Sequence, residues 1–132
     1  MREIQIFLVI LFVHYLSDFV LQTDEQAKNK GIGKNLWNRP LFFHVLTYTI
    51  SWSLFFLVLP IDPLFYNIYG WLLFVIFIGV PHYLIDWCTS RIGKPFWEKG
   101  DAHNGFCIVG FDQILHYICL LFVLYGMITI ID

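Results

Sequence analysis

IYGWLLFVIFIGVPHYLIDW, residues 68–87, decides how this chain is read. Its first two thirds contain no charged residue, and its length as a helix, at ~1.5 Å per residue, matches a hydrocarbon layer ~30 Å thick. Ionisable residues appear only near its end, as His82 and Asp86. They are four apart and so share a helix face. In hydrocarbon such groups cost several kcal/mol unless they are paired or face a polar cavity. The stretch therefore predicts a membrane span whose last turns face something polar.

Three more stretches read the same way: 4–21, 41–59 and 111–131. Hydrophobic residues make up 58% of the 132, aromatics 20% and charged residues 14%, against about 25% charged in soluble domains. The expectation is an all-α, polytopic four-helix membrane bundle forming a single transmembrane domain over 1–132. Arg2 precedes the first apolar run, but no small-residue cleavage site follows, which argues against a removed signal peptide. Lys28, Lys30, Lys34 and Arg39 lie between the first and second stretches, and Arg91, Lys94 and Lys99 between the third and fourth. The connection 60–67 holds Asp62 and no Lys or Arg, and reads as a tight turn. The positive-inside rule then puts both long loops in the cytoplasm and both termini outside.

The other stretches also carry ionisable groups. His14 and Asp18 end the first, His44 begins the second, and Asp112, Gln113 and His116 begin the fourth. Given the up-down order, all fall ~5–12 Å from the cytoplasmic boundary. Such convergence predicts one site. Four imidazoles and three carboxylates suit a divalent metal, zinc before manganese or iron. His14, His44, His82 and His116 are candidate ligands, with Asp18 and Asp86 as ligands or as carboxylates that orient them. Asp112 is the candidate acid/base, and Asp18 and Asp86 join it on the catalytic list. The bland alternative is a hydrogen-bonded network joining helices.

His14-Tyr15-Leu16-Ser17-Asp18-Phe19 is echoed by His82-Tyr83-Leu84-Ile85-Asp86-Trp87. Ile32-Gly33-Lys34-Asn35-Leu36-Trp37 is echoed by Ile92-Gly93-Lys94-Pro95-Phe96-Trp97. Two pseudo-repeated helix hairpins follow, related by an axis along the membrane normal and able to hold one shared metal or two close ones. Asp112 has no counterpart in the first half, where Pro40 stands. Pro81, directly before His82, removes a helix hydrogen bond and can open space beside it. Lys34 and Lys94, with Gln22 and Gln113, are candidate substrate-binding residues at the mouth, although basic residues there also serve topology and lipid contact. Gly31, Gly33, Gly93 and Gly100 are expected in loops, and His103 outside the site. Cys88, Cys107 and Cys119 form no C-x-x-C pair and read as small hydrophobes. Nothing points to nucleic acid.

The segments His14-x-x-x-Asp18-Phe19-x-x-Gln22-Thr23, Lys28-Asn29, His44, His82-x-x-x-Asp86 and Asp112-Gln113-x-x-His116 together resemble a bacterial and phage family of short integral-membrane proteins. That family is catalogued as a domain of unknown function. The resemblance implies that the polar set is a family hallmark, and it implies no activity. A looser likeness is to small membrane-bound proteins regarded as metal-dependent hydrolases. The leading expectation is a metal-dependent membrane hydrolase of a phospholipid or another amphiphilic phosphate or ester. A proton or divalent-metal transporter or channel is the first alternative. A phage-type accessory protein with a structural polar network is the second. Membrane lipids are the expected partners, an anionic amphiphile the expected substrate class, and a homo-oligomer an open option.

Overall fold

A computed structural model describes residues 2–57 and 67–128. The chain is all-α, with no strand among the described residues. Helix α1 (Arg2–Tyr15) runs into one π-helical turn (Leu16–Val20), where the Leu21 amide donates to the Leu16 carbonyl at 2.9 Å. After a short bend come α2 (Asp24–Asn29), α3 (Arg39–Phe56), α4 (Ile68–Glu98) and α5 (Ala102–Ile128). The expected tight turn at 60–67 falls mostly outside the described residues, as do the last positions of the second and fourth stretches.

Each start has a local cause. Thr23 and Gln26 form a reciprocal capping box on α2. The Asn38 side chain accepts from the Leu41 amide at 3.0 Å, with Pro40 in the first turn of α3. Asn67 accepts from the Gly70 amide at 2.9 Å. The end of α4 is a Schellman motif: Asp101 N–H donates to the Phe96 carbonyl and Gly100 N–H to that of Trp97. It requires the left-handed φ of +73° that Gly100 supplies.

One expectation is corrected here. Residues 88–98 and 102–110 do not form a long loop; α4 and α5 continue through them and turn at Lys99–Asp101. Gly93, Lys94 and Arg91 are thus helical, and His103 is an exposed residue in the first turns of α5. The added length is held by close approach of the two helices. A Cβ on Gly105 would lie 2.7 Å from the Trp97 ring, and one on Gly93 3.4 Å from Ile108. Pro81 stays within an unbroken helix.

The four long helices share one apolar core. Ile10 and Val13, Tyr48, Trp52 and Phe56, Phe74 and Ile78, and Leu120 and Leu124 meet there. The outer surface is also apolar: Phe12 is 60% exposed, Leu54 64% and Phe122 78%. α4 and α5 are long and apolar enough to cross a membrane, and Phe7–Val20 is a shorter apolar helical stretch. On one side the core gives way to a layer of buried His and Asp, beyond which lie α2 and its connection to α3.

Candidate metal centre

The helical period carries His14, Asp18, His44, His82, Asp86, Asp112 and His116 to the bundle interior, and all seven are buried. The π-helical turn adjusts the first of these elements, because it turns both Ser17 and Asp18 inward. Such turns recur at functional sites, and nothing in the residue pattern announces this one.

At the middle, His44 Nε2 lies 3.0 Å from Asp18 Oδ1, 3.1 Å from Asp86 Oδ2 and 3.2 Å from His82 Nε2. His82 Nε2 is 3.5 Å from Asp18 Oδ1 and 3.7 Å from Asp86 Oδ2. These four residues can place their donor atoms within 4.8 Å of one another. A tetrahedron with metal–ligand bonds of ~2.0–2.1 Å has edges of ~3.3–3.4 Å. The five distances scatter around that value. Four electron-rich atoms gathered this closely repel one another unless a cation, a proton or a metal ion, sits among them. The donor set therefore fits a divalent metal. The Nδ1 atoms of His44 and His82 are buried without partners.

Around this group the remaining residues divide by function. The Gln113 amide donates to Asp18 Oδ2 at 2.9 Å and Asp112 Oδ2 at 3.1 Å, which turns its Oε1 towards His14 Nε2 at 2.8 Å. His14 Nε2 must then carry the proton, and its Nδ1 accepts from the Tyr48 hydroxyl at 3.0 Å. Both His14 nitrogens are occupied, so in this arrangement it orients carboxylate and amide rather than facing the central group. The Thr89 hydroxyl lies against the Asp112 carboxylate. His116 Nδ1 is 3.0 Å from the Asp112 carbonyl and 3.3 Å from Asp112 Oδ2, both acceptors.

Two contributors escaped the reading of the residues. Tyr48 stacks on the His82 ring, centroids 3.7 Å apart, and closes the centre on its apolar side. Lys30 reaches in from the end of α2 to bond Asp86 Oδ2 at 3.0 Å, with its side chain 17% exposed. Burial disfavours its ammonium, but Asp86 and then Asp18 outweigh that and hold its pKa above the usual lysine value. Asn38 fixes the backbone behind it, donating to the carbonyls of Asn29, Lys30 and Ile32.

A cavity of about 610 Å³ leads from this side to Asp18 and Asp112. Gln22 and Gln113 line it, and so do Lys28, Lys30 and Lys94. Lys34 does not. It sits exposed on the connection between α2 and α3, away from the cavity. Arg91 is also spoken for, donating to Gly33, Trp87 and Asn35 carbonyls.

An all-α chain with a buried His/Asp centre open to a basic-rimmed cavity is the class that fold and site define. The chain belongs to the family described as a protein of unknown function, DUF3307, whose model matches residues 6–132. No curated protein and no solved structure matches it.

Proposed function

We propose that this chain is a metal-dependent enzyme of the bacterial inner membrane, a hydrolase of a phospholipid or another amphiphilic phosphate or ester. The observation that carries the reading is the near-tetrahedral grouping of Asp18, His44, His82 and Asp86, of which Asp18 lines a cavity that also holds Lys28, Lys30 and Lys94. Zinc suits that donor set best, with manganese or iron as the other candidates.

Four crossings are supported by the apolar outward surface, and termini on the outer side by the basic residues of the two other connections. Exposed Phe, Leu and Ile on every long helix would favour aggregation in water but are ordinary against lipid chains. Lys28, Lys30, Lys34, Arg39, Arg91, Lys94 and Lys99 all lie in sequence beside the polar ends of the helices, which supports a centre near the cytoplasmic face. Lys28 and Lys94, paired with Asp24 at 3.6 Å and Glu98 at 3.3 Å, would exchange those exposed partners for the anionic head of a substrate, while Phe19, Ile108 and Trp97 line the apolar share of the same cavity. A bound divalent ion would polarise the scissile phosphoryl or carbonyl group and lower the pKa of water. Asp112 lines the cavity, and its carboxylate is held by Thr89 and Gln113, so it is placed to accept a proton from an attacking water.

A transporter or channel needs a polar route onward. Past the centre stand Tyr48, Trp52, Phe56, Phe74 and Ile78, all buried and packed together. That packing favours an enzyme open to one side over a pore.

The test is elemental analysis of detergent-purified protein, with release of head group or phosphate from mixed lipid micelles as readout. The expected result is bound transition metal and turnover, both abolished by His82→Ala and His44→Ala. A folded protein without transition metal, whose His82→Ala variant behaves identically, would overturn the proposal.

A further inference from the structure

His116 is the buried imidazole that the central group leaves aside. Its Nδ1 faces two oxygens that can only accept, so that nitrogen carries a proton; in the neutral ring Nε2 then keeps a lone pair. Nε2 has no hydrogen-bond partner, and the residue is 2% exposed. The nearest carboxylate oxygen to it among the ion pairs is Asp86 Oδ1, at 3.9 Å. That oxygen is also buried and without a partner. The other oxygen of the same carboxylate, Oδ2, is the one that faces His44 and His82. With that ring neutral, two lone-pair atoms stand 3.9 Å apart in the interior, and each is costly to bury without a donor. A cation between them, a proton or a metal ion, removes both costs. Asp86, Asp112 and His116 can also bring donor atoms within 4.8 Å of one another, as can His14, Asp18 and His116.

Resting on the metal-dependent reading above, we infer that the centre holds two divalent ions. The first sits among Asp18, His44, His82 and Asp86, and the second between His116 Nε2 and Asp86 Oδ1, with the Asp86 carboxylate bridging them. One carboxylate with an oxygen on each ion is a common feature of two-metal sites, whose ions stand ~3.5–4 Å apart and clamp the two oxygens of a displacement at phosphorus. His116 follows Asp112 by one helical turn, and Asp112, with Asp18, lines the cavity.

The experiment loads detergent-purified full-length protein with Zn²⁺ or Mn²⁺ and counts ions per chain, with the Mn²⁺ form also read by electron paramagnetic resonance. Wild type should bind two ions and show an exchange-coupled Mn²⁺ pair. His116→Ala, and the better-filling His116→Gln, should bind one and show an isolated-ion spectrum, with the melting transition retained. One ion in wild type that is lost in His82→Ala and kept in His116→Ala overturns the second position and leaves the first reading standing. No bound ion overturns both. Two ions in His116→Gln overturn the placement of the second.

Discussion

Two six-residue stretches of this protein read almost alike and fold differently. Ile32–Trp37 is an irregular connection with Gly33 at φ +81°, whereas 92–97 is helix throughout. The second stretch has α5 against it, and the close approaches at Gly93 and Gly105 bury its inner face. The first has no such partner helix. It is instead strapped from outside: the Tyr83 hydroxyl donates to the Leu36 carbonyl, the Trp87 indole to Asn35, and Arg91 to Gly33 and Asn35. Tertiary packing, not local sequence, chose the conformation. The pair His14/Asp18 and His82/Asp86 diverges more subtly. Both lie inward on helices, yet His14 is saturated by Tyr48 and Gln113, while His82 presents Nε2 to the central group. Likeness of sequence between the halves thus carries over to depth and facing but not to role.

The sharpest way to break that contrast is to remove each histidine of the pair. His82→Ala should abolish stoichiometric metal binding. His14→Ala should keep the stoichiometry and weaken affinity by about 10–100-fold, the usual effect of losing a residue that orients a ligand. Competition with a chromophoric chelator measures both, and equal losses would erase the distinction.

A second probe tests the helical copy. Gly105→Ala forces a methyl against the Trp97 ring and should cost about 1–3 kcal/mol, read as a lowered melting transition in detergent. Asn38→Ala removes both the α3 cap and the tie behind Lys30. It should cost about 1–2 kcal/mol by the same measurement. Arg91→Ala should have the smallest effect: faster hydrogen exchange confined to residues 32–37, with metal content unchanged. Faster exchange at 92–97 would show that the two stretches are coupled after all.

The hydrophobic runs and the four-residue spacing of His and Asp made the helices and the seven buried polar groups legible, because period and burial are written locally. Other features depend on distant partners. Helix α4 passes the expected boundary at Trp87 because Gly93 and Trp97 meet α5, which no window on α4 reveals. Lys30 looks like any loop lysine until Asn38 folds the backbone behind it and Asp86 stands opposite. The division between His14 and His82 rests on Gln113 and Tyr48, which are respectively 99 and 34 residues from His14 along the chain.

The Lys30–Asp86 contact also bears on biogenesis. Enclosing Asp18 and Asp86 between helices brings bare carboxylates together, and their charges oppose that closure. An ammonium on a soluble arm supplies a temporary counterion from the chain itself. If the centre takes a metal as proposed, folding would precede metallation, and an entering ion would displace the lysine head from Asp86 towards the cavity that Lys28 and Lys94 also line.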